Sequence, residues 1–116
     1  MRKYFILPGV ILSVLVFANC NETKKLAKAA PKSTYTADLS VVIMNNCVPC
    51  HIPAKGGFKK AYDNYANVKT DIDEMIRRIS LMPTEKGFMP FKKTAQLPDT
   101  TIAKFKKWRD DGLLEN

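Results

Sequence analysis

Residues 47–51 read Cys-Val-Pro-Cys-His, and no other stretch constrains so tightly what this chain can fold into. The thiols of Cys47 and Cys50 lie one helical turn apart, a spacing that lets two sulfurs add across the two vinyl groups of a haem. The adjacent His51 is then held beneath the iron and supplies one axial ligand. Two other chemistries use similar residues. Zinc would need a fourth ligand, and Cys47, Cys50 and His51 exhaust the good ones outside the N-terminal segment. A redox CxxC belongs beside a βαβ pattern, and the sequence has none. The expectation is one covalent haem c, attached through Cys47 and Cys50.

The N-terminus points to export. Arg2 and Lys3 precede an apolar run from Tyr4 to Ala18, broken by Pro8 and Gly9. This is the layout of a secretory signal peptide, expected over residues 1–19, and it is short for a transmembrane helix. Phe17-Ala18-Asn19-Cys20 resembles a bacterial lipoprotein cleavage site, which implies that Cys20 becomes the lipidated first residue. Phe17 and Asn19 depart from the Leu, and the Gly or Ala, usual at those places. Ordinary cleavage after Ala18 and an uncleaved anchor are the competing readings. The chain has three cysteines. Two for haem and one for lipid leave none for a disulfide, even in an oxidising compartment. The expected location is the periplasm, or a bacterial membrane facing it.

Composition bounds the rest. With 116 residues the chain suits one domain. A body of about 80 residues is near the size at which a single core gives marginal stability. A covalent haem would add apolar surface to wrap around, so the haem-free chain is expected to fold poorly. The net charge is +8, and without Arg2 and Lys3 the 19 basic residues become 17 against 11 acidic ones, or +6. Two ionised haem propionates would lower this further. Such a balance suits an acidic protein partner, an anionic surface, or simply solubility. No nucleic-acid-binding motif is present.

Residues 20–34 follow the leader as a polar stretch rich in Lys and Ala, expected to be a flexible tether; Lys24, Lys25, Lys28 and Lys32 are placed to meet anionic headgroups or water. The functional domain is expected over residues 35–116. A helix is predicted from Ala37 to Asn46, capped by Thr36, with Leu39, Val42 and Ile43 on its apolar face and Val41 and Met44 widening it. Pro53 and Gly56-Gly57 enforce a loop. Asn64 is a candidate cap for a short turn through Val68. A clearer helix runs from Asp71 to Ser80, where Ile72, Met75, Ile76 and Ile79 recur at helical spacing. Residues 82–98 hold Pro83, Gly87, Pro90 and Pro98, which predicts a long loop. A final helix, capped by Asp99, carries Ile102, Phe105 and Trp108, with Gly112 as its stop. No strand pattern is present, so the fold class is all-α.

Cys47 to His51, Met89-Pro90 and the closing helix around Trp108 resemble a small bacterial monohaem cytochrome c. Lys55-Gly56-Gly57-Phe58 and Tyr62 to Val68 are likewise similar to domains of the cytochrome c, class I, type. The resemblance covers about Tyr35 to Leu114. It implies a small helical domain wrapped around one covalent haem, with His51 as one iron ligand and a loop methionine as the other. His51 is the only histidine, so two-histidine ligation within the chain is impossible, and Met, Lys or an open coordination position remains. Met44 and Met75 fall on predicted helices and are better used in packing. Met82 and Met89 both precede proline on the loop. The resemblance favours Met89, within Gly87-Phe88-Met89-Pro90 and mid-loop; Met82 follows the helix almost directly.

Lys55, Lys59, Lys60, Lys86, Lys92 and Lys93 fall on the two loops expected to border the haem. There they would steer an acidic redox partner or simply be solvated. Tyr62 and Trp108 are candidates for contact with the haem or a propionate, with core packing the preferred reading of both. The leading expectation is a one-electron carrier of the cell envelope, since two protein ligands leave no open iron site and the only histidine is consumed. A haem enzyme of peroxidase type, or a redox or gas sensor, would need an open or exchangeable position.

Overall fold

The computed structural model describes residues 29–116. The expectations for residues 1–19, for Cys20 and for most of the tether lie outside that range. The described chain is helical, with three α-helices and no strand. None of its helices is long and apolar enough to cross a membrane.

Folding begins two residues earlier than the cap pattern predicts. The Thr34 hydroxyl, not that of Thr36, accepts the Ala37 amide at 3.2 Å and starts a π-helical turn, Tyr35–Leu39. This runs directly into α1, Ser40–Asn46. Leu39, Val42 and Ile43 are buried as their spacing predicts, whereas Val41 and Met44 face solvent and do not widen the apolar stripe. A short 3₁₀ turn, Pro53–Lys55, ends on Gly56 in the left-handed region.

The two separate helical signals that follow merge. Asn64 accepts the Asn67 amide at 3.0 Å and caps one continuous helix, α2, Tyr65–Ile79. Val68, Ile72, Met75, Ile76 and Ile79 form its buried stripe, and Arg77 and Arg78 lie in its last turn, where they suit the helix dipole. Residues 82–98 contain no helix. The last helix, α3, Asp99–Asp110, begins at Asp99 itself, so Asp99 is a first-turn residue and not the cap. Gly112 follows at φ +105°, a conformation open to glycine, and ends the helix.

The core lies where these pieces meet. Trp108, Phe105, Leu39, Ile43, Ile52 and Val68 are almost wholly buried. Tyr35, Tyr65 and Trp108 form a triangle of ring contacts 6.0–6.3 Å apart, joining the π-helical turn, α2 and α3. Their polar ends are satisfied: Trp108 Nε1–H donates to the Leu114 carbonyl at 2.7 Å, and Tyr65 O–H to that of Leu113 at 2.9 Å. Residues 33–36 are clasped to residues 111–115. Tyr35 and Thr36 amides donate to the Leu114 and Glu115 carbonyls, and the Ser33 amide to the Asp111 carboxylate. Ser33 is buried, so the last two residues of the expected tether pack on the folded body.

Candidate functional site

Cys47 ends α1, and the chain then turns through residues 48–52 in a tight loop. Cys47 N–H donates to the Ile43 carbonyl at 2.8 Å and His51 N–H to that of Cys47 at 3.0 Å. The motif is therefore a compact turn set directly on the end of the helix, which puts both thiols and the imidazole on one short piece of backbone. Gly57 closes the following loop onto it, its amide donating to the Ile52 carbonyl at 3.1 Å. A methyl group on Gly57 would come within 2.7 Å of the Cys50 carbonyl oxygen and 2.8 Å of the Ile52 nitrogen. No residue with a side chain fits there without displacing the motif's backbone.

A mainly apolar cavity of about 430 Å³ opens beside this loop. Cys47, Cys50, His51 and Met89 all line it, together with Met75, Ile79, Leu97 and Phe105. The residues come from five pieces of the folded chain: the end of α1, the loop after it, the last turns of α2, the 82–98 segment and α3. Met82 is exposed and does not line the cavity, which separates it from Met89. Met75 is buried, as expected, but its side chain also faces the cavity. Trp108 does not reach the cavity, while Tyr62 does.

His51 is oriented by its neighbours. Its Nδ1 lies 2.7 Å from the Lys60 carbonyl oxygen. A carbonyl only accepts, so Nδ1 carries the proton and the Nε2 lone pair is left bare in the neutral ring. This is the backbone support that a metal-ligating histidine requires. Tyr62 stacks on the imidazole, with ring centroids 4.5 Å apart and planes 15° from parallel. Its amide donates to the His51 carbonyl at 2.9 Å. The Tyr62 hydroxyl donates to Asp71 at 3.0 Å, and the Lys60 ammonium reaches the same carboxylate at 2.8 Å. Asp71 on α2 thus ties down both residues that hold His51. The Lys60 bond, aided by Tyr62, holds the Asp71 carboxyl below its ordinary range. Burial first, and then the Asp71 bond, push the Tyr62 phenol up to about 12.

Burial also pushes the Cys47 thiol up to about 11. This is the opposite of the lowered thiol pKa through which redox and nucleophilic cysteines work. Among the described residues, no three His, Cys, Asp or Glu side chains group as they would around a bare metal ion. Attachment to a macrocycle places no such demand, because the two thiols and the imidazole then meet it at different points.

Sequence reasoning did not anticipate the roles of Tyr62, Asp71, Arg78 and Gln96. Arg78 Nε–H donates to the Gly87 carbonyl at 2.7 Å, and Gln96 donates to the Ser80 and Leu81 carbonyls at 2.8 and 2.7 Å. Only the polar residues at the end of α2 hinted at this, and they read equally well as complements to the helix dipole. Of the expected basic collar, Lys59 and Lys93 line the cavity, and Lys60 is engaged by Asp71. No protein-family model, curated protein or solved structure matches this chain.

Proposed function

We propose that this chain is a one-electron carrier of the bacterial cell envelope, built as a small cytochrome c around one covalent haem c. The observation that carries the reading is the joint presence of Cys47, Cys50, His51 and Met89 on one mainly apolar cavity. The cavity volume falls within the range of roughly 300–1,000 Å³ usual for small-molecule and cofactor sites. Cys47 and Cys50 would form the thioether bonds, and His51, with Nε2 free, would be one iron ligand. Met89 would be the other, as the methionine of the 82–98 segment that faces the cavity. When bound, haem supplies a reversible one-electron couple, and thioether ligation raises its potential.

The chain's own residues account for the remaining requirements. Met75, Ile79, Leu97 and Phe105 exclude water from the inner wall. Asp71, Tyr62 and the Lys60 carbonyl keep the imidazole from turning, which favours small rearrangement on electron transfer. At the mouth, Phe58 and Phe91 are strongly exposed, with Lys59 and Lys92 beside their ring faces. With Lys93, they offer an acidic redox partner both apolar contact and positive charge. The leader and Cys20 would carry the domain to the membrane, held there by lipid.

The deciding experiment expresses the full chain with a haem-maturation system and extracts it with acid–acetone. Red protein after extraction, and colourless protein from Cys47→Ala/Cys50→Ala, is the expected result. Colourless wild-type protein carrying stoichiometric zinc would overturn the proposal. Mass spectrometry of the N-terminus tests the anchor: an unmodified terminus at Asn19 would replace lipidation with cleavage after Ala18.

A further inference from the structure

The segment that carries Met89 is joined to the helical body by few hydrogen bonds: Gln96, near its end, holds the Ser80 and Leu81 carbonyls, and the rest gather at one residue. Among the described residues, every hydrogen bond joining residues 82–95 to the rest of the chain ends on Arg78. The Arg78 side chain donates from Nε to the Gly87 carbonyl at 2.7 Å. Its own carbonyl accepts the Met89 amide at 3.2 Å. The two bonds bracket Phe88, the one buried side chain of the segment. Gly87 sits at φ +97°, a backbone state that leaves its carbonyl turned to the guanidinium and that a side chain would strain. Arg78 stands in the last turn of α2, on a helix whose Met75 and Ile79 form the cavity wall.

We infer that Arg78 is the positioning residue for Met89: by clamping the backbone on both sides of Phe88, it holds the thioether at the cavity and the segment closed over it. The inference rests on the reading of Met89 as an iron ligand. A backbone held at Gly87 by a charged, planar donor has little freedom to swing, and hydrogen bonds from charged donors are the stronger kind. Phe88 supplies the apolar half of the anchorage but no direction. Without the Arg78 side chain the segment keeps the buried ring, the Met89 backbone bond and Gln96 at its far end, but loses the hold at Gly87 and opens more often.

The test exploits side-chain length. Arg78→Met fills the same space without a donor. Arg78→Gln places a neutral N–H at the same distance along the side chain as Arg Nε. Arg78→Lys keeps the charge but has a methylene there. In the haem-loaded protein, imidazole binding to the ferric form reports how readily Met89 leaves, and amide exchange at residues 87–89 reports the backbone directly. Arg78→Met should raise imidazole affinity about tenfold or more, the scale of one lost charge-assisted hydrogen bond, and should speed exchange at residues 87–89. Arg78→Gln should stay closer to wild type than Arg78→Lys in both measurements. This order applies even if Arg78→Met does not accumulate. If Lys restores closure and Gln does not, charge and not the clamp is responsible, and the inference is overturned. Met89→Ala separates the two levels. If it leaves imidazole binding unchanged, the ligand reading fails and the clamp's role fails with it. If it raises binding while Arg78→Met does not, only the clamp is overturned.

Discussion

At the scale of single residues, the tightest constraint falls on Gly57. Its backbone needs no left-handed angle; what it needs is the missing Cβ, since Pro49, Cys50 and Ile52 backbone atoms occupy the space. Gly57→Ala should therefore displace the Cys47–His51 loop and cost about 1–3 kcal/mol, the usual penalty of overpacking. A fall in denaturant midpoint together with reduced haem incorporation is the expected outcome. Gly56→Ala, which meets no neighbour but must hold φ +82°, should cost stability with less effect on incorporation. The methionines separate in the same manner. Met89→Ala should lower the reduction potential, abolish the spectroscopic signature of thioether ligation and open the iron to added ligands. Met82→Ala, at an exposed site away from the cavity, should leave all three nearly unchanged. A reversed pair of outcomes would transfer the ligand role to Met82.

At the scale of elements, α2 is the beam from which the site is hung. Its first half holds Asp71, which restrains Tyr62 and Lys60; its last turns hold Met75, Arg78 and Ile79. The helix remains one piece because Asn64 caps it seven residues ahead of the acidic cluster that starts at Asp71. Removing that cap by Asn64→Ala should cost about 1 kcal/mol. Urea unfolding should show a lower midpoint at an unchanged slope, the mark of a stability change without a change in exposed surface. Hydrogen exchange should quicken at residues 65–68 first. A midpoint equal to wild type would mean that packing of Tyr65 and Val68 alone starts the helix.

At the scale of the whole molecule, two carboxylates link folding to pH. Asp71 is lowered by the Lys60 ammonium, and Asp111 by Lys107 and then by the Ser33 amide. Each has a folded pKa below its ordinary value, so in acid the unfolded chain takes up protons first. Their stabilisation is complete above about pH 4–5, the range just above an ordinary aspartate pKa, and is lost as pH falls through the lowered values. Denaturant midpoints measured from pH 6 down to 3 should fall, and Asp71→Asn should flatten part of that slope. The proposed association with an acidic partner belongs to the same scale. Steering by charge is screened over about 8 Å at physiological ionic strength, so electron-transfer rates should fall as salt rises. Neutralising Lys59, Lys60, Lys92 and Lys93 should slow the reaction with much less change in potential. Lys59 and Lys93, at the cavity, should account for more of the effect than Lys60, which Asp71 engages. Rates independent of salt would reduce these lysines to solubility residues.

Local patterns were legible in the sequence. The stripes Ile72, Met75, Ile76, Ile79 and Ile102, Phe105, Trp108 are buried because a helix repeats every 3.6 residues, and that period is written in neighbouring positions. The glycines and prolines of residues 82–98 likewise excluded a helix there by their own backbone chemistry. The Cys47–His51 spacing carried the proposed chemistry before any fold was known. Tertiary structure alone decided which residues stand around that chemistry. The Lys60 carbonyl on His51, the Arg78 side chain on Gly87 and the Leu114 carbonyl on Trp108 all involve backbone oxygens, and a carbonyl is the same whatever residue bears it. Asp71 and Tyr62 read as an ordinary first-turn acid and a core aromatic until the chain folds back, stacks Tyr62 on His51 and sets Asp71 behind Tyr62 and Lys60. Met82 and Met89 share a loop and a following proline; only the packing of Phe88 and the bonds to Arg78 bring one of them to the cavity and leave the other in solvent.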